Sequence, residues 1–520
     1  MPRHTFALIG ICVLTLFTGI GVPAITDSDE AFYAESAREM IESGDWLTPH
    51  YNYQPRFEKP ILYYWLTAVS YTVAGVSEAA ARFPSALAGL GLTLLTFGCA
   101  RRMYDATTSL LAGMITATSF GYIAMAHQAL PDLPLAFFVT LTTWASIEGL
   151  LSWPDRELKG QEIRRNRPWL LTAALGAAGG LLIKGPVGLA LPLMVIASIV
   201  TSEYLTNRSR FTVRSTDLVL AILFFLLLSI PWYLAMTVEH GVTYLDRFFV
   251  AENIERFATA RYNDPRPLWY YIPIVLGGML PWSPFMLLWL PLTWKSARQH
   301  RVDISTLRLV IWSLAPLLFY TVSIGKQPRY ILPILPPLAI LLAMAIRRAL
   351  NDRPVHIGLF SVCATVTALL MLGIGVLIHR TRPLLLEWSA TATMAVSGMV
   401  ILSGLVLLIA VLMSWRSTSL AKCLRNKIPL LITACAAITA IGAHYVVLAT
   451  PGPAPVERMA ILVDEARQAN ERYGRHGVFN RNLVFYTNTK YVELPILDAA
   501  RDFLLSSDRV FCIMTAEDAT

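Results

Sequence analysis

The stretch DLVLAILFFLLLSIPWYLAM, residues 217–236, decides the fold class of this chain of 520 residues. It stays apolar over the ~20 residues that a helix needs to cross a hydrocarbon core of roughly 30 Å. A strand of a membrane β-barrel would alternate apolar and polar residues over about 10 positions. Similar runs recur along the chain, which is 55% hydrophobic and 15% charged. The sequence therefore predicts an all-α polytopic membrane protein.

Counting such runs predicts about 13 membrane spans. They lie at 5–24, 80–99, 106–126, 133–151, 169–183, 187–202, 217–236, 268–292, 307–324, 330–346, 355–378, 388–414 and 428–449. The first is predicted to be a retained helix, although VPA before Ile25 resembles a signal-peptide cleavage site.

With these spans, six loops rich in Lys and Arg fall on one side, which the positive-inside rule identifies as cytoplasmic. The net charge of +8 is thus a topology signal and predicts no nucleic-acid partner. The outer side then receives the segments 25–79, 127–132, the turn at Lys184, 237–267, 325–329, 379–387 and everything after about residue 450.

Two parts of the chain are predicted from this layout. Residues 1–450 form a transmembrane domain, and residues 451–520 form a small extracytoplasmic α/β domain. In the first outer loop, residues 29–46 carry apolar side chains at helical spacing, which predicts an amphipathic helix lying on the membrane. ILYYWLTAVSYTVAG, at 61–75, predicts a second interfacial helix, because a full span there would move every later basic loop outside.

The C-terminal tail has the pattern of a small soluble fold. PVERMAILVDEARQANERYG, at 455–474, predicts a helix. Three short runs of β-branched and aromatic residues predict strands: NLVFYTN (482–488), KYVEL (490–494) and RVFCIM (509–514).

Three carboxylates follow the first predicted span within four residues: Asp27, Asp29 and Glu30. Helix capping accounts for one of them, and we assign it to Asp27 together with Ser28. Ionisable groups at a membrane boundary are costly and mark functional sites or snorkelling anchors. Asp29 is therefore the candidate catalytic base, and Glu30 is expected to support it.

Cations and further acids recur on the other outer segments, and each has a structural alternative. Lys and Arg beside apolar runs serve as interface anchors or as phosphate ligands, and an Asp at a helix start serves as a cap. The candidate catalytic residues are Asp29, Asp132 and Glu58. The candidate donor-phosphate ligands are Lys59, Lys184, Arg56, Arg329 and Tyr330, and the acceptor-side candidates are Glu252 and Arg256. Cations beside a carboxylate base form the pattern that activates a lipid-linked phosphate donor.

Motifs for other chemistries are absent from the sequence. It has no Walker A motif, no G-x-S-x-G, no H-E-x-x-H and no dinucleotide fingerprint. The six cysteines have no C-x-x-C spacing and are interpreted as packing residues. No cofactor is predicted and no metal ligand set is assigned, with a divalent metal left open.

Several motifs together resemble the bacterial aminoarabinose transferases that act on lipid A, within the protein-mannosyltransferase-like group of GT-C glycosyltransferases. They are DSDEAFYAESAREMIESGDWLTPHYNYQPRFEKPILYYWL, RFPSALAGL, LPDLPLAFF, IKGPVGLALP and YILPILPPLAI. The resemblance implies an inverting transfer of a sugar from a polyprenyl phosphate, undecaprenyl in bacteria. It places the reaction on the periplasmic face of the inner membrane.

The resemblance also implies residue roles. Asp29 becomes the base, Glu58 and Lys59 the Glu-Lys pair of the first outer loop, Asp132 the acid of the second, and Lys184 a phosphate ligand. Asn253 stands where lipid A-modifying relatives have a histidine, which weighs against both a metal site and lipid A as acceptor.

The acceptor and the sugar stay open at this stage. Lipid A, another envelope glycolipid or a glycan could accept the sugar, and a protein O-mannosyltransferase-like enzyme is an alternative. A lipid-linked sugar transporter would have paired internal symmetry, which the sequence lacks, and a scaffolding protein would not need Lys59 or Lys184. Membrane lipids are expected neighbours, and the chain is expected to be a monomer.

Overall fold

The structure is a computed structural model that describes most of the chain. The described residues are 2–151, 166–206, 213–255, 265–289, 303–351, 354–381, 389–415, 418–450, 452–468, 471–478, 480–515 and 517–518.

Helices make up nearly all of the regular structure. They are α1 (Pro2–Cys12), α2 (Asp29–Ser43), α3 (Leu62–Ala74), α4 (Glu78–Met103), α5 (Ala106–Thr118), α6 (Phe120–Ala126), α7 (Asp132–Leu150), α8 (Arg167–Lys184), α9 (Val187–Leu205), α10 (Ser215–Leu245), α11 (Tyr271–Gly278), α12 (Ile304–Val322), α13 (Leu335–Asn351), α14 (Pro354–Thr381), α15 (Ala390–Ser414), α16 (Ser419–Leu448), α17 (Pro455–Ala466), α18 (Leu483–Thr487) and α19 (Leu497–Leu504). Short 3-10 helices lie at Leu268–Tyr270, Ser283–Leu288 and Pro328–Ile334. Two π-helical segments lie at Val13–Phe17 and Asp246–Glu255.

Within the described ranges, nine helices are long and apolar enough to cross a membrane, or ten if the bent pair α5 and α6 counts as one span. The prediction of a polytopic helical membrane protein is confirmed. Three of the 13 predicted spans differ from these ten. The first comprises the 15-residue apolar helix Arg3–Phe17, and α8 has 18 residues and is basic at both ends. In its described part, the predicted span 268–292 contains the short apolar helix Leu268–Gly278 and the 3-10 segment Ser283–Leu288.

The first outer loop contains the two predicted helices, α2 and α3. With 13 residues, α3 is about 20 Å long at 1.5 Å per residue, too short to cross the membrane. The amphipathic pattern of α2 predicted one polar face in water, and this is wrong. Its charged residues Glu30, Glu35, Arg38 and Glu39 are as buried as its apolar face, because other parts of the chain cover both sides.

The C-terminal residues form a small parallel sheet with helices around it. Its strands are β3 (Tyr473–Arg475), β4 (Tyr491–Glu493) and β5 (Phe511–Ile513), in the order β4-β3-β5. A separate two-stranded hairpin, β1 (His50–Tyr51) with β2 (Gln54–Pro55), lies in the first outer loop. The helix at 455–474 and the strands in KYVEL and RVFCIM are confirmed in part of their lengths. The domain boundary at residue 451 stays a prediction.

The strand predicted in NLVFYTN is wrong, because these residues form α18. A five-residue apolar run does not distinguish a strand from a buried helix turn by its pattern. Here the run ends at Asn488, whose φ of 49° gives the left-handed conformation that terminates helices. The strand β3 and the helix α19 were not predicted.

Candidate active site

Four charged residues from four separate outer segments meet at one end of the helix bundle. The ammonium of Lys184 donates to the Asp132 carboxylate at 2.5 Å. Arg329 Nε lies 3.4 Å from the other oxygen of Asp132, and the same guanidinium contacts the Asp29 carboxylate. The structure thus brings together Asp29, Asp132, Lys184 and Arg329, all of which the sequence singled out.

Each of these residues lies at or near the start or end of a helix, which sets the position of its side chain. Asp29 is the first residue of α2, directly after Ser28, whose hydroxyl accepts the amide of Glu30 as the helix cap. Asp132 begins α7 and Lys184 ends α8. Gly185 then turns the chain with a φ of +78°, and a Cβ at this position would lie 2.8 Å from the Phe248 ring. Only glycine suits both conditions.

The two acids of this cluster differ in exposure. The Asp132 side chain is 3% exposed and is held between two cations, whereas the Asp29 side chain is 35% exposed. A carboxylate that takes a proton from an incoming hydroxyl must be reachable by it. The geometry therefore suits Asp29 as a base and Asp132 as a fixed anchor for Lys184 and Arg329.

The motif RFEKP forms a second group of charges. Lys59 donates to Glu252 at 2.8 Å and to the carbonyl of Glu58 at 2.9 Å. The Glu58 carboxylate lies 3.3 Å from Arg56 Nε and 3.6 Å from Arg247. Glu58 therefore pairs with arginines and makes no ion pair with Lys59, its neighbour in sequence. Arg256 lies outside the described residues.

A cavity of about 530 Å³ joins the two groups of charges. Lys59, Lys184, Glu252 and Tyr330 contribute its polar part. The Lys184 ammonium also lies 4.7 Å from the centre of the Tyr330 ring, within range of a cation–π interaction. Most of the remaining wall is apolar, with Pro186, Val187, Ala190, Phe249, Phe319 and Tyr320. A cationic end and apolar walls suit a phosphate carried on a hydrocarbon chain.

Two buried tyrosines that the sequence reading missed lie between the two groups of charges. Their rings, on Tyr33 of α2 and Tyr64 of α3, are 5.3 Å apart. Burial, followed by the charges of Tyr64 and Asp29, raises the pKa of Tyr33 far above its usual range. Burial, opposed by the charge of Arg56, raises the pKa of Tyr64 to about 12. Both phenols are therefore neutral near Asp29. The aromatic richness of ILYYWL was the available signal for Tyr64.

The predicted supporting role of Glu30 required a contact with Asp29, but Glu30 contacts other residues. Its carboxylate, 0% exposed, accepts from Arg82 of α4 at 2.7 and 3.2 Å and from the backbone amide of Ala129 at 2.8 Å. Burial opposes the charge of Glu30, but Arg82 prevails and lowers the pKa of Glu30. Arg82 also donates to three carbonyls between residues 20 and 24. The ion pair of Glu30 and Arg82 therefore attaches the first outer loop to helix α4 of the bundle.

Asp27 is not the cap of α2, because its carboxylate accepts the backbone amide of Arg481 at 2.6 Å. The capping assignment is confirmed for Ser28 alone. Asn253, whose amide donates to the Phe248 carbonyl at 2.6 Å, lines the cavity.

A divalent metal does not fit the part of the chain that the structure describes. There, no group of three or more His, Cys, Asp or Glu side chains is placed to hold an ion. The carboxylates at the site are instead paired with Lys or Arg.

Comparisons with known proteins agree with this geometry. The family model described as dolichyl-phosphate-mannose-protein mannosyltransferase matches residues 17–241. The undecaprenyl phosphate-alpha-4-amino-4-deoxy-L-arabinose arabinosyl transferase of Edwardsiella ictaluri is 32% identical over 348 residues. That alignment covers 67% of this chain and 60% of the relative. The chain thus matches less than two thirds of this relative's own length.

Solved structures give a wider similarity. ArnT from Cupriavidus metallidurans, in a crystal structure bound to undecaprenyl phosphate, matches 98% of this chain and 89% of its own, with a TM-score of 0.73 and 23% identity. The archaeal oligosaccharyltransferase AglB from Archaeoglobus fulgidus matches 95% of this chain and 64% of its own, with a TM-score of 0.55 and 12% identity. The predicted GT-C fold is confirmed.

Proposed function

Because the chain is an aminoarabinose-transferase-like protein with the GT-C fold, we propose that it is an inverting glycosyltransferase. Its donor is a sugar carried on undecaprenyl phosphate, and its acceptor is lipid A or another envelope glycolipid or glycan. The active site faces the periplasm at the inner membrane. The observation that carries this proposal is the cavity in which Lys59 and Lys184 meet apolar walls beside Asp29 and Arg329.

The donor binds with its phosphate at the cationic end of the cavity. Lys59 and Lys184 supply point charges for the phosphate, and Tyr330 closes the wall beside Lys184. The apolar wall takes the first part of the polyprenyl chain. Arg329, which contacts Asp29 and Asp132, adds a further positive charge next to Tyr330. This arrangement suits the phosphate of an undecaprenyl carrier, which is the ligand in the solved structure of ArnT.

Transfer then needs one proton movement and one displacement. Asp29 accepts the proton of the acceptor hydroxyl as its oxygen attacks the anomeric carbon. The bond between that carbon and the phosphate oxygen breaks, and the electron pair leaves with the undecaprenyl phosphate. Lys59 and Lys184 stabilise the charge that develops there. A single displacement inverts the anomeric centre, and the burial of Asp132 between two cations keeps it from acting as a second nucleophile.

A carboxylate exchange tests the role of Asp29. Membranes containing Asp29→Asn, supplied with labelled undecaprenyl-phosphate-linked aminoarabinose, should transfer no label while the protein stays folded. Asp45→Asn is the matched control, because Asp45 lies in the same loop and its Oδ1 only accepts the amides of Leu47 and Thr48. Full transfer by the Asp29 variant would remove the proposed base.

A protein acceptor is the second candidate, favoured by the mannosyltransferase family model over residues 17–241. Mass spectrometry of a deletion strain separates the two. Loss of a sugar from lipid A or from another envelope glycan supports the proposal, and loss from secreted proteins supports the alternative.

A further inference from the structure

Residues 481–486 of the C-terminal region bind the chain immediately before Asp29. The side-chain amide of Asn482 donates to the Ile25 carbonyl at 2.7 Å. The Ile25 amide donates to the Tyr486 hydroxyl at 2.8 Å, and the Arg481 amide donates to the Asp27 carboxylate at 2.6 Å. Side chains that are 457 and 461 residues away in sequence thus satisfy both backbone groups of Ile25.

These contacts are shielded from solvent. Ile25 is 1% exposed and Asn482 is 6% exposed, so a lost partner would leave a buried polar group without water to replace it. The Tyr486 hydroxyl also donates to Glu78 at 2.9 Å, at the first residue of α4. One phenol therefore connects the C-terminal region, the approach to Asp29 and a membrane helix.

The same region also contacts the loop beyond Asp29. The Arg481 guanidinium lies 5.0 Å from the centre of the Phe32 ring, one helical turn after Asp29. The Tyr51 hydroxyl donates to the Arg481 carbonyl at 2.9 Å. The Asn52 side chain pairs with both backbone groups of Tyr491 at 3.0 Å, as a neighbouring strand would. The C-terminal region therefore holds the chain on both sides of Asp29.

We propose that the C-terminal region is part of the active site, with Asn482 and Tyr486 as positioning residues that fix residues 25–27 and so aim Asp29. The inference rests on the proposed function, since it takes Asp29 as the base. Neither residue touches the substrate. Ser28 caps α2 at the next position, so a shift of Ile25 moves the helix start and the carboxylate with it. A displacement of about 1 Å at a reacting group costs on the order of 100-fold in rate.

Phenol and amide substitutions test this role in the full-length protein. Asn482→Ala and Tyr486→Phe should each lower kcat for transfer from undecaprenyl-phosphate-linked aminoarabinose by about 10- to 100-fold. The donor KM should stay within about twofold, because neither residue lines the cavity that holds the phosphate. Activity is normalised to folded protein, measured by size-exclusion chromatography.

Tyr473→Phe is the matched control. It removes a phenol from the same region whose partners, Thr487 and Thr489, are internal to that region. Its kcat should equal that of the wild type. A similar loss of kcat in Tyr473→Phe, or a change confined to KM in the other two variants, would reduce the contacts to a general stabilising role and overturn the proposal.

Hydrogen exchange provides a readout that needs no substrate. The Ile25 amide should exchange faster in Tyr486→Phe than in the wild type and in Tyr473→Phe. Unchanged protection of Ile25 would show that Tyr486 does not hold it and would overturn the proposal. If Asp29→Asn keeps full activity while the Ile25 amide loses protection in Tyr486→Phe, the contact between Ile25 and Tyr486 is confirmed and the assignment of Asp29 as the base has failed. The two failures are thereby distinguishable.

Discussion

The Asp29 carboxylate contacts the Arg329 guanidinium, and that guanidinium also lies 3.4 Å from the carboxylate of Asp132. One arginine therefore links the exposed acid of α2 to the buried acid of α7. With Lys184 on the other oxygen of Asp132, two acids face two cations. In the proposed reaction, the donor phosphate would compete with the carboxylates for these cations.

Arg329→Lys should lower kcat by about 100- to 1,000-fold, since a lysine offers a point charge in place of a fork between two carboxylates. Transfer assays on the purified protein measure this. Arg472→Lys, which changes an exposed arginine paired with Asp508 at 3.8 Å, should be indistinguishable from the wild type. A loss below about threefold in Arg329→Lys would exclude a direct role for the fork.

Lys59→Ala should weaken binding of undecaprenyl phosphate by about 10- to 100-fold, because it removes a charge-assisted contact to the phosphate. Titration of the detergent-purified protein with the lipid gives the Kd. Lys490→Ala removes an exposed lysine of the C-terminal region and should leave the Kd unchanged. Equal Kd values for Lys59→Ala and the wild type would place the phosphate elsewhere.

Arg82→Ala should destabilise the protein by about 3–5 kcal/mol, since it leaves the buried Glu30 carboxylate without its cation. Glu30→Gln should cost less, because its amide oxygen can still accept the Ala129 amide. Thermal unfolding followed by intrinsic fluorescence measures both, with Arg380→Ala, an exposed position, as control. A larger loss of stability in Glu30→Gln than in Arg82→Ala would contradict the role described for the ion pair of Glu30 and Arg82.

Stability should depend on pH through Glu39, which is 1% exposed on α2. Burial, followed by the charge of Glu35, raises the pKa of Glu39 from 4.5 to about 8. The folded protein therefore binds a proton that the unfolded chain releases, and stability falls as pH rises between these two values. The melting temperature of the wild type should drop between about pH 4.5 and about pH 8 more than that of Glu39→Gln. Parallel pH profiles for the two proteins would refute this.

Most of the membrane helices and four of the charged residues at their ends could be identified from the sequence. Apolar runs of membrane length depend on local composition, so most spans could be identified without tertiary information. Asp29, Asp132, Lys184 and Arg329 stood out because charges beside such runs need a reason. Their contacts with one another agree with the predicted membrane topology, which places their four segments on the same side.

The partners of buried charges could not be predicted, because they depend on contacts between distant segments. Glu30 pairs with Arg82, 52 residues away, and Asp27 pairs with the backbone of Arg481, 454 residues away. Nothing in the local pattern distinguishes these acids from Asp29. The burial of α2 could not be predicted for the same reason. Its own sequence does not reveal that the C-terminal region covers the side that was expected to face water.

The contact between Ile25 and residues 482 and 486 also bears on biogenesis. The ribosome adds about 5–20 residues per second, so the approach to Asp29 waits tens of seconds for partners that lie 457 and 461 residues later in the chain. Until residues 482 and 486 have been synthesised and have folded, Ile25 lacks these two partners. Under the role proposed for these residues, a chain truncated before Asn482 should insert its membrane helices yet show a lowered kcat, so that synthesis of residues 482–486 is itself a condition for full activity.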